Sequence, residues 1–218
     1  MNILDFNEFK ELRSRGCVVV DTRKPDSYCD GFIKGSVSIF FGESFINTYH
    51  ELIEDEQKVL IIADESESAE LARVIKSAGI QNINGFLGKG FEAWKASGER
   101  IDMLISIDAE EFAIDYQYDE FFLIDVRTKE EYDVEHIEDS ENLTLTDIEQ
   151  MLVDLEENKI YYVYGNTFEE ALTAASLFKR NGFERVRVVS TSCEELKQTK
   201  IPFKNKKKEN SSSDFSNN

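Results

Sequence analysis

Val19-Val20-Asp21-Thr22-Arg23 is the stretch that decides the fold, because the chain repeats it 104 residues later as Leu123-Ile124-Asp125-Val126-Arg127. A tyrosine follows each copy at the same distance, Tyr28 and then Tyr132. A repeat of this length in a chain of 218 residues indicates two domains of ordinary size. We expect domain 1 to span residues 1–103 and domain 2 to span residues 104–203.

Short apolar runs alternate with helical segments in both copies. Residues 59–63 and 160–165 are apolar runs, and each leads through a turn into a helix that ends at Gly79 or Gly182. A further apolar run follows each of these glycines. Strands that alternate with helices in this way are typical of a mostly parallel sheet with helices on both faces. The sequence therefore predicts an α/β fold with two tandem domains.

The composition argues against two classes of partner and predicts a cellular location. The formal net charge of −19 argues against nucleic acid or an anionic membrane, because both attract basic surfaces. No apolar run approaches the length of a membrane span and the first residues lack a secretory signal, so we expect a cytoplasmic location. Residues 204–218 are rich in Lys, Ser and Asn and cannot bury a core, which predicts a disordered tail.

The three cysteines stand at unrelated spacings, which predicts neither a disulfide framework nor a metal site. Cys17 begins a predicted strand, and Cys193 fits an apolar packing position. Cys29 is expected on a surface loop, where its acidic neighbours Asp26 and Asp30 disfavour the nucleophilic thiolate. No cofactor is predicted.

Several motifs, in order, resemble those of the rhodanese family of sulfurtransferases. They are the two Asp-x-Arg strand ends, the segments Gly31-Phe32-Ile33-Lys34-Gly35-Ser36 and Glu135-His136-Ile137-Glu138-Asp139-Ser140, and Gly88-Lys89-Gly90-Phe91-Glu92-Ala93-Trp94. The resemblance covers residues 1 to about 203. The first half is also similar to the paired rhodanese modules that follow a metallo-β-lactamase domain in bacterial persulfide-metabolising proteins.

The resemblance implies a nucleophilic cysteine directly after the strand in each domain, where a thiolate takes up sulfur as a persulfide. The matching positions hold Ala63 and Gly165. Neither side chain is a nucleophile, so the covalent route to sulfur transfer is closed at both positions.

The resemblance also implies structural roles for several charged residues. The pairs Asp21–Arg23 and Asp125–Arg127 are expected to be ion pairs that fix the strand ends. His136 is expected to order its loop rather than to act in catalysis.

The loops after the two strands contain the candidate binding residues. These are Asp64, Glu65, Ser66, Glu67 and Ser68 in the first copy, and Asn166, Thr167, Phe168, Glu169 and Glu170 in the second. Carboxylates repel an anionic donor such as thiosulfate, so we expect a basic protein or a cationic group to bind here. A metal site on these carboxylates is the alternative. Because acidic residues are common at any helix N-terminus, no metal is predicted.

These observations predict a catalytically inactive tandem rhodanese-like protein that acts as a binding, scaffold or regulatory module in sulfur or persulfide metabolism. The resemblance implies a protein partner, either a persulfide dioxygenase of the metallo-β-lactamase type or a sulfur carrier. The competing hypothesis is a sulfurtransferase that uses thiosulfate or a persulfide with a non-standard cysteine, Cys29 or Cys193. A third hypothesis is a vestigial protein without a retained biochemical role.

Overall fold

The computed structural model describes residues 2–205. The chain forms two compact units, one of residues up to 104 together with residues 179–182 and the other of residues 105–178 and those from 183 onward. Each unit has its own sheet. Within residues 2–205, no helix is both long enough and apolar enough to cross a membrane.

Unit 1 contains a five-stranded sheet in the order β1-β6-β5-β2-β4, in which every neighbouring pair is parallel. Strands β3 and β7 form a separate antiparallel pair. In chain order the elements are β1 (Ile3–Leu4), α1 (Phe6–Ser14), β2 (Val18–Asp21), α2 (Pro25–Asp30), β3 (Phe32–Ile33), β4 (Val37–Ser38), α3 (Phe45–Leu52), β5 (Val59–Ile62), α4 (Ser68–Ser77), β6 (Ile83–Leu87), α5 (Gly90–Ala96) and β7 (Ile101–Asp102).

Unit 2 repeats this arrangement with a parallel sheet in the order β8-β13-β12-β9-β11 and an antiparallel pair, β10 and β14. Its elements are β8 (Ile105–Ile107), α6 (Ala109–Tyr118), β9 (Phe122–Asp125), α7 (Lys129–Val134), β10 (Glu135–Ile137), β11 (Ser140–Asn142), α8 (Ile148–Met151), a 3-10 turn (Leu152–Asp154), β12 (Tyr161–Tyr164), α9 (Phe168–Arg180), β13 (Val186–Val189), α10 (Cys193–Leu196) and β14 (Phe203–Asn205).

The structure confirms the predicted α/β class, with two parallel sheets flanked by helices. The reason lies in the central strands, since every residue of β2, β5 and β12 is buried. Strands that are buried along their whole length are covered on both faces, and in a parallel sheet helices provide this cover. Strand β2 lies between β4 and β5 and pairs with both in parallel, so its end is enclosed by neighbouring strands.

Each unit has an aromatic-rich core under its first helix. In unit 1, Phe9 of α1 packs edge-on against Trp94, with 6.3 Å between the ring centroids. In unit 2, Phe112 of α6 stacks on Tyr162, with 5.8 Å between the centroids. Because α1 and α6 cover equivalent faces of the two sheets, the repeat extends from the sequence motifs to the packing.

The predicted disordered tail begins two residues too early. Lys204 and Asn205 belong to β14, where they pair with His136 and Glu135 of β10. The exposed edge of β10 supplies backbone partners to residues whose side chains alone do not favour a strand. Residues 206–218, the rest of the predicted tail, lie outside the described residues.

The same N-cap starts the first helix of each unit, and this generates a prediction. The Asp5 carboxylate accepts the N–H groups of Asn7 and Glu8, and the Asp108 carboxylate accepts those of Glu110 and Glu111. We expect Asp5→Ala and Asp108→Ala each to lower the free energy of unfolding by about 1 kcal/mol, measured by urea denaturation. Asp119→Ala at the other end of α6 removes the same charge but no N-cap bond. An equal loss in that control would contradict the capping role.

Candidate functional site

The two candidate positions lie at the carboxyl ends of central strands. Strand β5 ends at Ile62 and β12 at Tyr164, so Ala63 and Gly165 are the next residues in the chain, and both are buried. The neighbouring strand turns beside each of them. The N–H of Thr22 donates to the carbonyl of Ile62 at 2.8 Å, and the N–H of Val126 donates to that of Tyr164 at 3.0 Å. The Asp-x-Arg motifs and the candidate positions therefore share one edge of the sheet in each unit.

In unit 1 the Asp-x-Arg motif forms a buried bidentate ion pair. The Nε atom of Arg23 donates to Asp21 Oδ1 at 2.9 Å, and its Nη2 donates to Asp21 Oδ2 at 2.7 Å. The same Nη2 also donates to the carbonyl of Gly31 at 2.8 Å. The ring of Phe91 lies 4.1 Å from the guanidinium carbon, within cation–π distance. The pair thus fixes the strand end to the segment before β3.

Unit 2 repeats the hydrogen bonds of this ion pair with the same atoms. The Nε of Arg127 donates to Asp125 Oδ1 at 3.0 Å, its Nη2 donates to Oδ2 at 2.6 Å, and Nη2 also reaches the carbonyl of Glu135 at 2.8 Å. Burial opposes the charge on Arg127, but the hydrogen bonds and the negative charge of Asp125 outweigh it and raise the pKa of Arg127. Arg127 therefore carries its charge at neutral pH.

Tyr164 makes a hydrogen bond that unit 1 lacks, because the equivalent last residue of β5 is Ile62, which has no hydroxyl group. Its hydroxyl donates to Asp125 Oδ2 at 2.5 Å and accepts the N–H of Ile137 at 3.2 Å. Burial, reinforced by the Asp125 carboxylate, raises the pKa of Tyr164. Tyr164 therefore acts as a neutral hydrogen-bond donor. This role was not predicted from the sequence, where a tyrosine at the end of the strand was the available signal.

The loop of unit 1 is stabilised by hydrogen bonds to one of its own backbone carbonyls. The N–H groups of Glu67 and Ser68 both donate to the carbonyl of Asp64 at 3.0 Å, and the Ser68 hydroxyl donates to the same oxygen at 2.9 Å. Glu65 is exposed and Asp64 is half-buried. The loop therefore presents carboxylates toward solvent.

A glycine closes the other side of the unit 1 loop. Gly90 has a φ of +56°, and a Cβ there would lie 2.5 Å from the carbonyl oxygen of Ala63. Only glycine tolerates both this backbone conformation and this close approach.

The loop of unit 2 has a different construction. The N–H of Asn166 donates to Glu170 Oε2 at 2.7 Å, and the N–H of Glu170 donates to the Thr167 hydroxyl at 3.2 Å. The side-chain amide of Asn166 donates to Glu131 Oε1 of α7 at 2.9 Å. The Glu170 carboxylate thus lies inside the turn that follows Gly165.

The predicted loops are shorter in the structure than in the sequence analysis. Ser68 belongs to α4, and the three residues Phe168, Glu169 and Glu170 form the first turn of α9. In unit 2 the reason is the Thr167 hydroxyl, which accepts the third N–H of the helix as an N-cap does. The S/T-x-x-E pattern of residues 167–170 was the sequence signal for this helix start.

Cys29 was wrongly placed on a surface loop. It lies in α2 with 6% of its surface exposed, because Pro25 begins a helix at that point and turns Tyr28 and Cys29 inward. Cys193 is buried at the start of α10, as predicted, and its N–H donates to the carbonyl of Gly165 at 3.1 Å. Cys17 is half-buried and packs at the edge of the unit 1 core.

Burial also governs the reactivity of two of these thiols. It raises the pKa of Cys193 to about 11, although Arg127 acts in the opposite direction. It raises the pKa of Cys17 as well, against the lowering effect of Lys58. Both thiols are therefore protonated at neutral pH, and a protonated thiol is a poor nucleophile.

His136 is positioned as an ordering residue within β10. Its ring stacks on Tyr132 with 3.9 Å between the centroids, and its Nδ1 lies 2.7 Å from the Tyr132 carbonyl. Because a carbonyl only accepts, Nδ1 carries the proton. The Tyr132 hydroxyl in turn donates to the carbonyl of Ser140. These contacts tie the end of α7 to β10 and the segment that follows it.

The candidate carboxylates do not converge on a common point. Within residues 2–205, no group of three or more His, Cys, Asp and Glu side chains is arranged to hold a metal ion.

Comparison with known proteins identifies the family. The sequence profile of the rhodanese-like domain family matches the chain twice, over residues 5–97 and 108–199. The chain therefore belongs to the rhodanese-like domain family and contains two such domains in tandem. This confirms the resemblance seen in the sequence at the level of the family. No curated protein matches the chain.

Several solved structures are similar to this chain. The rhodanese-like domain of a protein from Anabaena sp. is 24% identical, and the match covers 47% of this chain and 80% of that domain with a TM-score of 0.44. A rhodanese-like domain protein from Staphylococcus aureus is 19% identical over 45% of this chain and 97% of its own, with a TM-score of 0.42. Thiosulfate sulfurtransferase from Pseudomonas aeruginosa is 13% identical over 94% of this chain, with a TM-score of 0.41. That match spans 44% of the enzyme.

The buried ion pair generates a second prediction. Asp125→Ala leaves the Arg127 guanidinium buried without its counter-charge, so we expect a loss of about 3–5 kcal/mol in the free energy of unfolding. The double variant Asp125→Ala/Arg127→Met removes both charges and should lose less than the single variant. Urea denaturation of the two variants measures the difference. A double variant less stable than the single one would contradict this role of the pair.

The Glu170 carboxylate generates a prediction about pH. Burial raises its pKa from 4.5, and Glu131 and Asp125 act in the same direction, against the Asn166 hydrogen bond and the charge of Arg127. A carboxyl with a raised folded pKa stabilises the fold below its unfolded pKa, and this contribution is lost as pH rises through the folded pKa.

Glu170→Gln keeps an oxygen that can accept the Asn166 N–H but cannot ionise. The stability of this variant minus that of the wild type should therefore increase as pH rises from about 4 to 7. Urea midpoints across this range measure the difference, and subtraction removes the effect of the other carboxylates. A difference that falls with rising pH would contradict the raised pKa.

Proposed function

We propose that this chain is a catalytically inactive tandem rhodanese-like protein that works as a binding, scaffold or regulatory module in sulfur or persulfide metabolism. One observation carries the proposal. The residues that follow β5 and β12 are Ala63 and Gly165, and neither has a group that can accept a sulfur atom. Sulfur transfer through a persulfide needs a thiolate nucleophile, so these positions cannot support it.

The cysteines elsewhere in the chain give little support to a substitute nucleophile. Cys29 and Cys193 are buried, and Cys193 has a raised pKa. Reactive cysteines lie in partly exposed, electropositive surroundings that lower the thiol pKa. The competing hypothesis, a sulfurtransferase that uses Cys29 or Cys193, would require these side chains to become accessible to a donor.

The acidic loop of unit 1 is the better candidate for a binding surface. Asp64, Glu65 and Glu67 follow a central parallel strand at its carboxyl end, where open α/β sheets place their ligands. Their charge favours a basic surface on a protein partner and disfavours thiosulfate. We propose a separately encoded persulfide dioxygenase of the metallo-β-lactamase type, or a sulfur carrier, as the partner.

The absence of catalysis is testable with the purified full chain. We expect no cyanide-dependent consumption of thiosulfate above the rate without protein, and no change in the Cys29→Ser variant. Mass spectrometry of donor-treated protein should show no stable sulfur adduct. Turnover that disappears in Cys29→Ser or Cys193→Ser would overturn the proposal in favour of the competing enzyme.

The binding surface is testable by charge reversal. The triple variant Asp64→Lys/Glu65→Lys/Glu67→Lys should weaken binding of a basic partner, identified by affinity capture and then purified, at least about tenfold by titration calorimetry.

The matched control reverses three exposed acidic residues of the same unit, Glu51, Asp55 and Glu56, which lie at or after the end of α3 and before β5. The control changes the net charge equally, so it should retain most of the affinity. Equal losses in both variants would indicate non-specific attraction, and unchanged binding in the first would exclude this loop.

A further inference from the structure

The position after β12 is filled by a side chain from elsewhere in its own loop. A Cβ built on Gly165 would lie 2.8 Å from Glu170 Oε2 and 3.1 Å from Val126 Cγ2. The φ of Gly165 lies outside the left-handed region, so its backbone alone would accept any residue. The Glu170 carboxylate, rather than the backbone conformation, occupies the space that a side chain at residue 165 would need.

We propose that Glu170 is an internal occupant of the unit 2 site. Its carboxylate takes the space of a side chain at residue 165. While its hydrogen bond to Asn166 holds it there, the carboxylate leaves room only for glycine and repels anionic ligands. The inference rests on the proposed function in one respect only, because both take the loop after β12 as the site of unit 2.

The hydrogen bonds of Glu170 hold its carboxylate in this place. One carboxylate oxygen accepts the N–H of Asn166 at 2.7 Å, which orients it toward the start of the turn. The carboxylate remains there although Glu131 and Asp125 are close enough to raise its pKa. A charged group held against like charges and burial needs such fixed partners.

Unit 1 shows the opposite combination at the same spacing. Ala63 has a Cβ, and the residue five positions later is Ser68, whose hydroxyl donates to the carbonyl of Asp64 at 2.9 Å. In unit 2 the small residue is Gly165 and the residue five positions later is the much larger Glu170. Unit 1 thus has a methyl group at the first position and a short hydroxyl at the second, whereas unit 2 has a hydrogen and a carboxylate.

A role limited to helix capping is the alternative explanation for Glu170. The backbone N–H of Glu170 already bonds the Thr167 hydroxyl, which gives α9 an N-cap without the carboxylate. If Glu170 only caps the helix, it stabilises the fold, but the size of this stabilisation does not depend on the residue at 165. The two explanations therefore differ in the coupling between the two positions.

A double-mutant cycle in the full chain measures this coupling. The variants are Gly165→Ala, Glu170→Ala and the two combined. In the presence of Glu170, Gly165→Ala should raise the unfolding equilibrium constant of unit 2 about tenfold, because the new methyl group overlaps the carboxylate. In the Glu170→Ala background the same change should raise it less than about threefold.

Native-state hydrogen exchange, analysed by mass spectrometry on peptides from residues 160–178, reports unit 2 separately from unit 1. Equal effects of Gly165→Ala in the two backgrounds would overturn the proposal. If Gly165→Ala alone fails to fold, recovery of folding in the double variant supports the proposal, and failure of the double variant contradicts it.

Unit 1 supplies the matched control. Ala63→Gly and Ser68→Ala alter the equivalent spacing without a carboxylate, so their effects should add. Coupling there as large as in unit 2 would also contradict a specific role for Glu170. Because the cycle measures stability and the thiosulfate assay measures turnover, failure of this inference is distinguishable from failure of the proposed function.

Discussion

A buried arginine can stay in a protein interior only when its charge and its donors are satisfied, and in both units one aspartate two residues earlier meets this requirement. The pairs Asp21–Arg23 and Asp125–Arg127 stand at the ends of central strands, where each guanidinium also bonds the carbonyl eight residues after it. The strand end, the following helix and the segment beyond are therefore held as one piece. The same atoms pair at nearly the same distances in the two units, which explains why this short motif is the clearest trace of the repeat.

This constraint also determines where the candidate sites lie. The residue between the aspartate and the arginine donates its backbone N–H to the last carbonyl of the neighbouring strand, β5 or β12. Ala63 and Gly165 therefore occupy equivalent positions beside the ion pairs. These backbone hydrogen bonds and the ion pairs are the same in both units, so the two candidate sites differ mainly in the residues of their loops.

The sequence was sufficient for the central strands and the helices that follow them, since the apolar runs of β2 and β5 and the glycines after α4 and α9 are local signals. It failed where a position depends on contacts distant in sequence or on a helix too short to show periodicity. Cys29 is buried because a helix of six residues begins at Pro25, and this helix gives no amphipathic pattern. The contact between Glu170 and Gly165 depends on side-chain direction, which the sequence pattern does not specify.

The two loops differ in how far their polar groups are already satisfied within the unit. In unit 2, Asp125 bonds Arg127 and Tyr164, while Asn166 bonds Glu170 through its backbone and Glu131 through its side chain. Groups that bond each other would have to break those contacts to bind a charged ligand, and this cost weakens binding. In unit 1, Glu65 faces solvent beside a loop held by backbone contacts. Its charge is available without the loss of such contacts, which is why we propose the unit 1 loop rather than the unit 2 loop as the binding surface.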